Sequence, residues 1–396
     1  MRDVVITGTG AVGPFGDTVD AFWHALRAPD PCLGPAAAGS DGHVDVPGFD
    51  IARFTKSSRV SRAPRVSQYA YAATSAAIAQ ADLPLRTMDK DTVSIVYGTA
   101  NEPTEIVARN VHLLCAVGVN AIEPIGFQES VYNAPASLIS IEYGFRGPLL
   151  ALPMGWAAGG YALCAAADLI ATGQAEVVIA VASDHVAGLG RDIDRKLRFI
   201  SPNDGKEARV RPFDERANGV IAATGGAALT LEARSAAEAR GARILAALTG
   251  WASTNDARGV SPKRGYSRGI ANAMRLSDPA RAGTDVVLAG SYCTRDAERA
   301  EAEAIAAYAN GREAPTVTNI RGAVGDCKGV SGLWNAVAAV KIFEHGVVPA
   351  PVGTEYPDEA LSLRLPGPQD RPPRAILCNN FWVGGLNTSA RLEAPA

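Results

Sequence analysis

Short β-rich runs and helical stretches alternate along all 396 residues, and the alternation runs through twice. DVVITGTG (3–10) ends in glycines and reads as a buried strand and a turn. DTVDAFWHALRA (17–28) predicts a helix behind an aspartate cap, and RVSQYAYAATSAAIAQADL (65–83) a second helix with a small-residue face. TVSIVYGTA (92–100) is a strand, TEIVARNVHLLCAVG (104–118) a helix, GPLLALPMG (147–155) a strand with a helix from about Ala157, and AEVVIAVASDH (175–185) a strand. GGAALTLEARSAAEARG (225–241) is a strand running into a helix.

From residue 242 the pattern echoes. ARILAALTGWAST (242–254) resembles the opening strand, and residues 284–310 repeat strand, small-residue turn and helix. TVTNIRGAVGD (316–326), a helix over Gly332 to Glu344 and the final pair AILCNNF and NTSARLE complete the series. Strands alternating with helices imply an α/β protein with parallel sheets covered on both faces. A repeat near half-length implies two similar halves, residues 1–240 and 241–396, packed as one body without a linker. PAAAGSDGH (35–43) and PGPQDRPPR (366–374) read as loops.

Composition narrows the function classes. Hydrophobic residues make up 47% and charged residues 20%, enough apolar content for a large core. A net charge of −3 does not favour nucleic acid or an anionic membrane as partner, and no apolar run reads as a membrane span. The six cysteines are scattered, with no CxxC and no Cys/His cluster at metal spacing, so no metal site is expected. Reduced thiols and the absence of a secretory leader point to the cytoplasm. Arg53, Lys56, Arg59, Arg62 and Arg65 place a positive charge at every third residue, which reads either as a solvated face or as a docking patch for an acidic partner.

ALPMGWAAGGYALCAAADLIATG (151–173) looks like a strand that turns sharply into a helix and presents one residue at the turn. Small neighbours let the backbones approach there, and a helix N-terminus favours an anion. A thiol at that point would ionise readily and attack carbonyls. The residue present is Trp156.

Five segments in order resemble the landmarks of β-ketoacyl synthases of the thiolase superfamily: VVITGTGAVGPFG, RVSQYAYAA, SIEYGFRGP, VRPFDERANGVIAATGGAALTLE and NNFWVGGLNTSARL. The resemblance runs nearly end to end. It implies a thiolase-like fold, two βαβαβαββ halves packed as a five-layer αβαβα body. It also implies a Cys-His-His centre that takes an acyl chain and condenses it with an extender unit carried on an acyl carrier protein. Set on those motifs, the elbow cysteine is Trp156, the first histidine falls on Gly290 in AGSYCT, the second on Asp326 in GAVGDCKG, and the lysine before it becomes Arg321. Trp has one N–H donor and no thiol, and Gly290 has no side chain. Condensation by this chain alone is therefore chemically implausible.

Within the superfamily, the chain-length factor, or ketosynthase β subunit, of type II polyketide synthases keeps the fold and lacks the cysteine. This chain resembles it, with Ala158, Gly159 and Gly160 after the elbow, although that subfamily often has glutamine where Trp156 stands. That departure hints at a divergent branch making reduced or polyene chains. The resemblance implies a heterodimer with an active ketosynthase, an acyl carrier protein and a polyketide intermediate as partners, and no cofactor of its own, the carrier's phosphopantetheine acting through the partner. Chain length would be set on the 104–118 helix by Thr104, Val107, Val111 and Leu114, which spacing places on one face; a plain apolar core stripe is the alternative. Phe127, Tyr132 and Asn133 align with a segment that borders the partner, and FWVGG (381–385) with a loop that closes over the site in catalytic relatives. Trp156 either fills the vacated acyl pocket or lines the tunnel end. A different reading makes the chain an independent acyltransferase or hydrolase based on Asp326 or on Cys293, beside the vacated Gly290 position; a third makes it a structural or carrier-binding protein. Cys164, His112 and His185 read as structural.

Overall fold

In the computed structural model the β-rich runs become, among the described residues, twelve strands, ten of them in one sheet ordered β10-β9-β11-β12-β8-β1-β7-β5-β3-β4. These are β1 (Val4–Val12), β3 (Val93–Gly98), β4 (Leu149–Leu152), β5 (Val177–Asp184), β7 (Gly225–Ala233), β8 (Ala246–Asn255), β9 (Val286–Leu288), β10 (Thr316–Thr318), β11 (Ala375–Trp382) and β12 (Leu386–Glu393). The short β2 (His43–Val44) and β6 (Ala222–Ala223) pair separately. The structure describes residues 1–33, 43–100, 103–185, 188–202, 208–257, 267–367 and 371–395. Most of the 35–43 loop and the middle of the 366–374 loop lie outside the described residues.

The sheet is mixed, not parallel. β4-β3 and β3-β5 pair parallel, whereas β5-β7 and β7-β1 pair antiparallel. The second half repeats this pattern: β10-β9 and β9-β11 parallel, β11-β12 and β12-β8 antiparallel. β11 and β12 are joined only by Val383–Gly385, and so short a connection permits an antiparallel pair alone. The two five-stranded parts meet where Val4–Ile6 of β1 pairs with Ala246–Leu248 of β8.

Strand alternation builds the layers. In β5, Val178, Ala180 and Ala182 enter a central core with the helices Ala158–Ala171 and Ser331–His345, while Val177, Ile179 and Val181 face the outer helices Arg65–Ala81 and Ala134–Tyr143. β9 repeats the device: Val286 and Leu288 join the central core, and Val287 packs with the outer helices Ser267–Leu276 and Arg295–Ala309. The Ala158–Ala171 and Ser331–His345 helices touch each other and strands of both parts, so they form a central helical layer between the two five-stranded parts of the sheet, with the other helices outside. One local expectation fails. The helix Val19–Arg27 is capped by Thr18, whose side chain accepts from the Ala21 N–H at 3.1 Å, while Asp17 is drawn aside into an ion pair with Arg53.

Candidate functional site

The run 147–173 folds as β4, a tight turn Gly155–Ala157, and the Ala158–Ala171 helix. Trp156 sits on that turn and is 3% exposed. Its ring stacks on Trp382 with centroids 4.1 Å apart and planes 19° from parallel, and meets Phe199 and Tyr292 at 5.5 Å each. Phe381 closes the cluster behind Tyr292. The backbone is shaped to this stack. Gly155 has φ +56°, and a Cβ there would lie 2.6 Å from the Trp382 ring, so only glycine fits beside the paired indoles. Aromatic rings thus occupy the space in front of the elbow, and Trp156 is a filling residue in this chain.

The other two positions lie close by, tied through hydrogen bonds. Asn380 of β11 donates to the Trp156 carbonyl at 3.1 Å. A Cβ on Gly290 would lie 2.9 Å from the Asn379 carbonyl oxygen and 3.0 Å from the Asn380 Cα. With this backbone no side chain fits at 290. The buried Glu301 fixes that loop by accepting from the Gly290 and Ser291 N–H groups, both at 2.9 Å. Arg321 donates to the Ala289 carbonyl at 3.2 Å and forms an ion pair with Asp326. Asp326 also accepts from the Lys328 backbone N–H at 2.7 Å. Trp156, Gly290 and Asp326 are therefore brought together, but around packing and fixed polar contacts.

Neither candidate for substitute chemistry is free to react. Asp326 is 1% exposed, and its carboxylate is committed to Arg321 and the Lys328 N–H. Cys293 is fully buried; burial pushes its thiol well above the ordinary range, and nearby Glu298 adds to the rise. Cys164 is pushed up to about 12, chiefly by burial. A neutral buried thiol is a packing group, not a nucleophile. His112 is solvent-exposed on its helix, and His185 stands with Nδ1 3.5 Å from Glu105 Oε2. Among the described residues no group of three His, Cys, Asp or Glu is arranged to hold a metal ion, and no helix is long and apolar enough to cross a membrane.

Sequence reasoning missed part of this centre. The buried Lys328 ammonium lies 6.0 Å from the Trp156 ring centroid and pairs with Asp194 at 2.5 Å. Trp382 and Phe199 are the other main components of the stack, and the tryptophan in FWVGG was the one available signal.

The helix Thr104–Ala116 is placed quite differently. It has no buried residue. Val107, Val111 and Leu114 are exposed, Val111 by 53%, and Thr104 is half-buried. The core-stripe alternative for this helix is excluded within the single chain. Phe127 is 66% exposed, and Tyr132 and Asn133 also face solvent.

The family model for the β-ketoacyl synthase N-terminal domain matches residues 1–237, and that for the C-terminal domain matches residues 245–355. The chain belongs to the β-ketoacyl synthase family. Among β-ketoacyl synthases it is 28% identical over 405 residues to 3-oxoacyl-(acyl-carrier-protein) synthase 2 of Synechocystis sp., covering 98% of this chain and 97% of the relative. It is 29% identical over 421 residues to the putative polyketide β-ketoacyl synthase 1 of Streptomyces halstedii, covering 100% and 98%. Its thiolase-like fold superposes on the ishigamide ketosynthase/chain length factor with a TM-score of 0.87 at 24% identity, covering all of both chains. A type II polyketide synthase acyl-carrier protein in complex with its ketosynthase bound to the hexaketide gives 0.85 at 21% identity, again over all of both chains.

Proposed function

We propose that this β-ketoacyl synthase family member is a non-catalytic, chain-length-factor-type subunit that pairs with an active ketosynthase and helps shape the cavity in which a polyketide or polyene chain grows. The observation that carries the reading is the elbow. Where the family resemblance puts a nucleophilic cysteine stands an indole stacked on Trp382, and the positions assigned to the two histidines hold a glycine with no room for a side chain and a carboxylate engaged by Arg321. These three positions offer no thiol to take an acyl chain and no imidazole to polarise a thioester carbonyl.

The exposed helix supports the second part of the reading. A 13-residue helix with no buried residue is marginal in water, and packing normally supplies its stability. Val107, Val111, Leu114, Val117, Val119 and Phe127 leave an apolar surface of the kind that marks a protein interface. β4 ends the sheet with its outer edge unpaired. A ketosynthase on this face would cover both. The gate residues Thr104, Val107, Val111 and Leu114 would then line a chamber completed by that partner, with Tyr132 and Asn133 at its rim. The acyl carrier protein would deliver intermediates to the partner's cysteine, and its phosphopantetheine would need no site in this chain. The named solved structures of a ketosynthase/chain length factor and of a carrier-protein complex support such partners by analogy of fold.

Co-expression tests the proposal. The chain should co-purify with a ketosynthase carrying the intact triad, and that ketosynthase with its carrier protein should make full-length product only when this chain is present. Unchanged product without the chain, or failure of every such ketosynthase to associate, overturns it.

A further inference from the structure

A second feature lies at the opposite end of the C-terminal sheet. Gly290 follows the end of β9, whereas two adjoining cavities open beside Asp285 and Ala375, where β9 and β11 begin. The larger, about 690 Å³, is lined by Arg275, Asp278, Arg281, Tyr308 and Arg312, among others. The smaller, about 350 Å³, shares Tyr308 and Arg312 and adds Arg374 and Arg391. We propose that this cleft binds an organic phosphate of about nucleotide size.

The charge balance is the first reason. Five arginines line the two cavities against three carboxylates, Asp278, Asp285 and Glu313. The carboxylates are already committed. Asp278 accepts from the Tyr308 hydroxyl at 2.8 Å and from the Ala282 and Gly283 N–H groups at 2.9 Å, and it lies 3.7 Å from Arg391 and 4.0 Å from Arg312; Arg391 also pairs with Glu393, so the uncompensated charge rests on Arg275, Arg281 and Arg374. Asp285 accepts from the Arg374 and Ala375 N–H groups at 2.7 and 2.9 Å, and Glu313 pairs with Arg364 at 3.4 Å. The guanidinium groups of Arg281 and Arg374 have no ion-pair or hydrogen-bond partner among the described residues.

Preorganisation is the second. Arg312 is held over the Tyr308 ring at 5.1 Å and donates to the carbonyls of Tyr308, Ala309 and Arg281 at 2.9, 3.2 and 3.0 Å. Its position is fixed before any ligand arrives. Arg281 occupies the left-handed region with φ +53°, where glycine is the usual residue. A strained arginine at a cleft wall implies that the side chain is wanted there. Planar guanidinium forks arriving from several directions match the oxygens of a phosphate, and the cavities fall in the size range of small-molecule sites.

The test uses the full chain and three probes: inorganic phosphate, pyrophosphate and ADP. ADP and pyrophosphate should raise Tm more than inorganic phosphate, and the rise should fade with added salt. Arg281→Gly should keep or raise the unliganded Tm by relieving the backbone, yet lose most of the ligand shift. Arg374→Gln should weaken the shift in the same direction. No shift with any probe, or an equal shift in wild type and Arg281→Gly, overturns the site; equal shifts for inorganic phosphate and ADP overturn the nucleotide-sized ligand.

Discussion

At the elbow, catalysis would need a group that ionises, and Trp156 supplies one that packs. Truncating a buried aromatic leaves a cavity, so Trp156→Ala should lose about 3–5 kcal/mol in denaturant unfolding. Unchanged stability would mean the ring is not filling the pocket. Trp156→Cys should not restore condensation, because Gly290 and Asp326 still lack imidazoles; carbon dioxide release from a malonyl thioester is the readout. A further residue-scale expectation concerns Glu298. Burial, before all else, raises its carboxyl well above the ordinary value, and it accepts from the Phe213 N–H at 2.8 Å. A folded-state value above the unfolded one means the folded chain holds a proton that the unfolded chain releases. Stability from this site is therefore full at low pH and declines as pH rises past the unfolded carboxylate value. Glu298→Gln keeps an acceptor and removes that decline, so its Tm advantage over wild type should grow between about pH 5 and 8. That position 156 carries no thiol was legible in the sequence because one residue type decides it. The stack that replaces it was not, since Phe199 and Trp382 come from distant segments that only the fold brings together. The Lys328–Asp194 pair was hidden for the same reason.

Among the elements, the Thr104–Ala116 helix is the one whose sequence promised burial and whose structure withholds it. Its apolar residues Val107, Val111 and Leu114 stand exposed, and the proposed ketosynthase would cover them. Replacing Val111 by Asp should weaken association with a co-expressed ketosynthase by about 2 kcal/mol, roughly thirtyfold, measured by titration or gel filtration. Undiminished binding would move the interface elsewhere. Val107→Phe or Val111→Trp should instead preserve association and shorten the product, read by mass spectrometry of the extracted chains; unchanged length would remove the gate assignment. Most elements were legible from periodicity, with boundaries off by one to a few residues, as for 65–83 against Arg65–Ala81. The mistaken points have physical causes. Thr18 caps the first helix because Asp17 answers Arg53, a contact between residues 36 positions apart in sequence. Strand direction failed because an apolar run does not reveal which neighbour it will pair with: β7 runs antiparallel to both β1 and β5.

For the molecule as a whole, the twofold plan was visible as a repeat of pattern, and the structure shows it as one strand order used twice, with the Ala158–Ala171 and Ser331–His345 helices shared between the two five-stranded parts of the sheet. The family resemblance puts a nucleophilic cysteine at the elbow of that scaffold. Here the same scaffold ends in a packed aromatic cluster, beside an apolar face left open to solvent. Both features are what the proposed role, a subunit that completes another chain's cavity, requires. The most direct test is turnover of a malonyl thioester, carrier-bound and as the free thioester, by the purified chain with no other protein beyond the carrier present. The account predicts neither acyl-enzyme nor condensation product above the uncatalysed background. Sustained product formation that disappears with Asp326→Asn or Cys293→Ala would contradict it.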